Sequence, residues 1–234
     1  MSVDQLLKIG TSATPVTTTS TPQVTSLVLG AASSNGIKVD TTTPTYPYRD
    51  LPAGASVKTG GNNDPIFAVF RDGLRAYQFA NNSTNELYSK VHVPADYVMG
   101  TDITIQIEWA QNTVDTGGPA GVPGTVKWQL EFNYAKSFGQ AAFPAAVTGS
   151  STQQASSTQY MLLMCNIAIT AATPSGSQVD SDLLEPGGHF MLRLFRDPAD
   201  AADTLNQAPF LLELNIHYQS TGVGTKYGEP PFYA

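Results

Sequence analysis

A chain of 234 residues that is 41% apolar and only 13% charged can hold one large domain with extensions or two small ones, and it has enough apolar mass for a real core. A net charge of −7 with 12 scattered basic residues excludes nucleic acid as a ligand, because phosphate binding needs clustered Lys and Arg. No run reaches the length of a membrane span, the start MSVDQLLKIG has no basic segment followed by a long apolar one, and a single cysteine excludes an intrachain disulfide or a thiolate metal site.

The chain is therefore expected to be made in a cytoplasm and to stay soluble, with Cys165 a buried, inert thiol. Thr, Ser, Gly, Pro and Asn stand where charge would usually be. Such a neutral polar surface is typical of chains that bury much of it against copies of themselves or partners, and glycan-binding and secreted β proteins look similar.

Residues 1–35 begin with a weakly amphipathic stretch and continue as TSATPVTTTSTPQVTS, which offers too little apolar area to offset chain entropy. They are expected to form an extended N-terminal arm, either a disordered tail or an arm that becomes ordered on a neighbouring subunit, with Leu6, Leu7, Ile9, Leu27 and Leu29 as its anchors. Residues 36–64 contain GIKVDTTTPTYPYRDLPAG, which has neither a helical nor a strand period. Prolines at 44, 47 and 52 bias it to extended backbone. This strap is expected to pin Tyr46, Tyr48 and Leu51 on a sandwich or a neighbouring subunit and to pair Arg49 with an acid.

From residue 65 the pattern becomes that of strands. DPIFAVFRDGLRAYQF reads as two short β runs around Asp72-Gly73, a pair suited to a type I′ hairpin turn. Leu87, Val91 and Val93 line one face of NELYSKVHV; Ile103, Ile105, Ile107 and Trp109 alternate with polar residues in DITIQIEWA. Val126, Trp128, Leu130, Phe132 and Tyr134 do the same in the next run, as a half-buried antiparallel strand does. Between these two lies NTVDTGGPAGVPG, a long polar loop read as an exposed contact tip.

TQYMLLMCNIAIT is nearly all apolar and reads as a central strand buried on both faces. HFMLRLFRD follows, then PFLLELNIHYQ, with Phe210, Leu212, Leu214, Ile216 and Tyr218 on one side and Glu213, Asn215 and His217 on the other. Only DPADAADTLNQ reads as helical, with Asp197 as N-cap before Pro198. Roughly eight strands and almost no helix predict an all-β fold, an antiparallel β-sandwich of jelly-roll type over residues 65–219. Residues 220–234 form an extended C-terminal tail with Tyr227, Phe232 and Tyr233 as anchors.

The chemistry is sparse. His92, His189 and His217 each sit in a strand beside apolar residues, so a three-histidine metal site would need convergence in space; hydrogen-bonded or solvent-facing histidines are the better reading. Glu108, Glu131 and Glu213 lie on polar strand faces, but no strand carries two carboxylates at the spacing of a clustered acid and nucleophile. Asp197, Asp200 and Asp203 lack the spacing of an EF-hand loop, and the glycines of GGPAGVPG are followed by neither Lys nor a helix. No catalytic residue, metal or cofactor is expected.

Several blocks, in this order, are similar to a family of tailed-bacteriophage and prophage virion proteins: GIKVDTTTPTYPYRDL, FRDGLRAYQF, HVPADYVMGTDITIQIEWAQN, GTVKWQLEFNYAKSFGQAAFP, LEPGGHFMLRLFRDPADAADT and NIHYQSTGVGTKYGEPPFY. The resemblance covers about residues 36–234. It implies a non-enzymatic virion structural protein, a capsid decoration (cement) protein that binds the phage major capsid protein as a homotrimer. Such a protein is assembled in the host bacterial cytoplasm and resides on the capsid surface. A homotrimer suits the three-fold positions of an icosahedral shell. The alternative is a tail, head-fibre or neck component that binds host-surface glycan through exposed aromatics such as Tyr97, Trp109 or Tyr160. A viral hydrolase built on the three glutamates is the remaining class.

Overall fold

A computed structural model describes residues 46–57, 63–118, 121–136, 139–140, 142–169 and 184–222, and the backbone of two short strands before them. The chain divides into two units, one of residues 1–45 with 233–234 and one of residues 46–232. In the first, β1 (Ser26–Val28) pairs antiparallel with β2 (Lys38–Asp40), with Leu27 opposite Val39. This ladder spans the boundary expected at residue 35.

The second unit holds eleven strands among its described residues: β3 (Tyr48–Pro52), β4 (Ala55–Ser56), β5 (Ile66–Arg71), β6 (Leu74–Gln78), β7 (Asn85–His92), β8 (Ile103–Ala110), β9 (Thr125–Ala135), β10 (Val147–Gln154), β11 (Leu163–Ala168), β12 (His189–Arg196) and β13 (Phe210–Gln219). One antiparallel sheet runs in the order β10, β9, β12, β7, β4. The other runs β11, β8, β13, β6, β5, with β3 also laid on β13. The protein is an all-β antiparallel sandwich. Taken alone, β6 to β13 give the order β6, β13, β8, β11 in one sheet and β7, β12, β9, β10 in the other, which is compatible with a jelly roll.

The alternation in the sequence sets the core. Ile103, Ile105, Ile107 and Trp109 of one sheet and Val126, Trp128, Leu130, Phe132 and Tyr134 of the other are buried in a single cluster, with Leu87, Val91, Leu192 and Leu194. A strand with period two buries one face and leaves the other to solvent.

The strap belongs to both sheets. Its β3 pairs with β13, and two residues later β4 pairs with β7 of the opposite sheet, so the chain crosses the sandwich at Ala53. Ala53 is buried there and its N–H donates to the Leu214 carbonyl at 2.7 Å. Arg49 does meet an acid, Asp96, at 2.9 Å. The Ser220 hydroxyl, foremost, and the Tyr218 hydroxyl donate to the same carboxylate and, with Arg49, hold it below its usual range. Leu51, expected to be pinned, is 39% exposed.

Three other expectations are corrected. The apolar run around Cys165 is not a central strand: among the described residues β11 lies at the edge and pairs with β8 alone, burying Cys165 and Ile167 while Met161 and Leu162 stay exposed. The alternation read along PFLLELNIHYQ breaks at a register shift between Leu211 and Glu213. Leu211, opposite Trp109, is the inward residue; Leu212 is exposed and Phe210 sits opposite Ala110.

Residues 197–205 form turns rather than a helix, because Asp197, Asp200 and Asp203 each accept the backbone N–H two residues on, from Ala199, Ala202 and Leu205. Such local acceptors offer the backbone an alternative to helical bonding. The loop after β8 is exposed at Val114 and Val122, as expected, while Asp115 at its base is 1% exposed and accepts the N–H of Gly124 at 2.6 Å.

Candidate interaction surfaces

The outward face of the six-stranded sheet is polar, and its register fixes who meets whom. Met164, Glu108 and Glu213 form one row across β11, β8 and β13; Asn166, Gln106 and Asn215 form the next; then Thr104 of β8, His217 and Asp50 of β3. Gln106, Asn215 and His217 are nevertheless buried. Asn215 Nδ2 donates to Glu108 Oε1 at 3.2 Å, and His217 Nδ1 lies 2.6 Å from Asp50 Oδ1. Tyr48 stacks on the His217 ring at 4.7 Å and 5°.

Two polar atoms of this face, Asn166 Oδ1 and His217 Nε2, are buried with no hydrogen-bond partner among the described residues. Burial, and then the carboxylates of Glu213 and Asp50, raise the Glu108 pKa above its ordinary value. Glu108 and Glu213 thus stand opposite each other as like charges, a destabilising cross-strand pair. This juxtaposition was not visible in the sequence, because the two residues lie on strands far apart in the chain. Glu131 is not part of it: it sits on the other sheet, where Arg193 bridges Glu131 at 3.0 Å and Glu86 at 2.5 Å.

The hairpin β5–β6 is the second surface. Its two-residue turn places Asp72 at φ 52°, a left-handed conformation that aspartate tolerates. Gly73 is not at positive φ, so the expected type I′ turn, which needs positive φ at both residues, is not formed. β5 forms the edge of its sheet. Ile66 is 63% exposed, Phe67 59% and Leu74 70%. Exposed apolar edge strands mark a binding seam or an aggregation hazard, since the open backbone and side chains both invite a partner. Nearby, Tyr160 packs edge-on to Phe70 at 5.3 Å beneath the Arg71 guanidinium, followed by exposed Met161 and Leu162.

The remaining expectations distribute as follows. His92 and His189 are paired in register with rings 4.5 Å apart, while His217 lies on the opposite sheet, so the three do not converge. Among the described residues no group of three His, Cys, Asp or Glu is arranged to hold a metal. Cys165 is buried, and burial raises its thiol pKa. Tyr97 and Trp109, put forward as glycan-binding aromatics, are buried in the core.

Of the partner anchors, Tyr46, Tyr48 and Arg49 are described. Tyr46 is half-buried just before β3. Leu27 falls in β1, whose backbone alone is described. Leu6, Leu7, Ile9, Leu29, Tyr227, Phe232 and Tyr233 lie outside the described residues.

No family model and no curated protein matches the sequence. Among solved structures, the chain is similar to a carbohydrate-binding module in complex with β-1,4-galactotriose, at 10% identity and a TM-score of 0.30, covering 75% of this chain and 90% of that one. It is also similar to a carbohydrate-binding module of the β-sandwich superfamily, at 11% identity and a TM-score of 0.27, covering 75% of this chain and 55% of that one. Neither likeness is close enough to bring a ligand or a function to this chain.

Proposed function

We propose that this chain is a non-enzymatic structural protein of a tailed-phage virion, a capsid decoration (cement) protein that assembles as a homotrimer on the major capsid protein shell. The observation that carries the assembly role is the hairpin β5–β6, an edge-strand hairpin that leaves Ile66, Phe67 and Leu74 more than half exposed. Keeping such residues in water forfeits hydrophobic stabilisation of about 1.5–3 kcal/mol for each large side chain that a partner would cover. A surface poor in charge, at 13% of residues, supports the same reading, and so does the sequence resemblance.

In this reading the sandwich is the rigid body that spans a capsomer junction, and the arm of residues 1–35 adds reach. Each ordered arm residue costs about 1–2 kcal/mol of entropy, so its apolar anchors must be buried on the shell.

The test is co-sedimentation of purified protein with expanded capsids. The intact chain should bind to saturation. A chain lacking residues 1–30 should remain folded by circular dichroism and bind more weakly. Equal binding by the truncated chain would refute the arm's role; no binding by the intact chain would refute the decoration role.

A further inference from the structure

Among the described cations only Arg75 and Lys90 are in no ion pair, and Arg75 lies on the exposed hairpin while Lys90 lies on β7 of the other sheet. Arg49, Lys127, Lys136, Arg193 and Arg196 each meet a carboxylate at 3.7 Å or less. By contrast, Arg71 reaches only the adjacent Asp72, at 3.9 Å with both side chains exposed. Arg75 donates to the Phe67 carbonyl at 3.3 Å and is in no ion pair among the described residues. Both arginines flank the exposed hairpin.

The complementary deficit lies on the outward face of the same sheet, where Glu108 and Glu213 oppose each other with no cation beside either among the described residues. His217, 7% exposed, holds Nε2 on that face with no partner among the described residues.

The apolar groups match as well. Val69 is paired with Arg75 and Phe67 with Tyr77, so Phe67, Val69 and Arg75 share one face of the hairpin. They are exposed, with Phe67 at 59% and Val69 at 44%. Beside the glutamates stand exposed Leu212, at the bulge, and half-buried Met164, opposite Glu108.

We propose that the hairpin β5–β6 of one copy of this chain docks on the outward face of the six-stranded sheet of the next, Arg75 meeting Glu108 and Glu213 while Phe67 and Val69 cover Leu212 and Met164. The contact joins two different surfaces, so it is head-to-tail, and such contacts close into a ring when the rotation between copies closes and run on as a filament when it does not. Three copies close the ring, a count that rests on the trimer reading above. A guanidinium placed between two facing carboxylates relieves their repulsion and is held bidentately.

The test is sedimentation equilibrium of the full chain with Arg75→Glu, Glu213→Lys and the double variant; both residues are exposed, so the fold is not at risk. The wild type should be a trimer. Each single reversal should weaken association by about tenfold or more, and the double should recover it, because the pair is restored with its signs exchanged. Single variants that stay trimeric, or a double that stays dissociated, would overturn the contact. A wild type that is monomeric in solution yet saturates capsids would overturn it too while leaving the decoration role intact. A charge-rescued trimer that ignores capsids would support the contact and refute that role.

Discussion

Replacing Arg196 by Met tests the least expected feature of the core. The Arg196 side chain is 0% and that of Asp203 1% exposed. All five guanidinium N–H groups are used: Nε and one Nη2 hydrogen donate to Asp203 at 2.9 and 2.8 Å, the other Nη2 hydrogen to the Leu205 carbonyl at 2.6 Å, and Nη1 to the carbonyls of Ala80 and Gln207 at 3.0 Å each. Asp203 in turn accepts the N–H of Lys127 at 3.0 Å.

Removing the arginine leaves a buried carboxylate without its cation and three carbonyls without that donor. Breaking a buried pair in this way costs about 3–5 kcal/mol, a large part of a typical stability of about 5–15 kcal/mol. For a chain of this size that is a fall in Tm of about 6–20 °C. Urea unfolding followed by circular dichroism measures it directly. Arg196→Met with Asp203→Leu should cost less than Arg196→Met alone, since the stranded charge is gone. A loss below about 1 kcal/mol for Arg196→Met would refute the reasoning.

Three more outcomes follow from the same geometry. The Glu108 pKa is raised in the folded state, so the fold's preference for the protonated form is fully present below the ordinary carboxylate pKa and lost as pH rises through the folded value. Glu108→Gln should therefore be the more stable protein at pH 7 in urea unfolding, with the gap closing as pH falls; equal stability at pH 7 would contradict this. Limited proteolysis should spare residues 46–57, because β3 and β4 are laced into both sheets, and Asp96→Ala, which removes the carboxylate shared by Arg49, Tyr218 and Ser220, should make them easier to cut. Early cleavage of the wild type there would show that the strap is loose. Cys165 should react with a thiol-specific dye only after denaturation, given a buried thiol with a raised pKa; stoichiometric labelling of the folded protein would refute its burial.

Much of the sandwich was legible because period-two alternation is a local property: Ile103 to Trp109 and Val126 to Tyr134 declare an inner and an outer face without reference to any neighbour. What failed was whatever depends on neighbours. An apolar run such as that around Cys165 reads alike in a central strand and an edge strand, and only pairing decides. The extra residue at Leu211–Glu213 is invisible until β8 sets the register.

Asp197, Asp200 and Asp203 suit a helix start and a run of turns equally, and Arg196 tips the choice by holding Asp203 in the core. The facing of Glu108 and Glu213 was out of reach for the same reason. The Asp72-Gly73 hairpin was read correctly as an element, but its exposed apolar faces were not, since composition does not say which strand ends a sheet.

Density mapping of intact virions tests the central claim most directly. The account predicts regular trimeric density over the capsomer junctions of the head, into which the sandwich fits with β5–β6 at the subunit seam. Density confined to the tail or neck, or absence of the protein from purified particles, would contradict it.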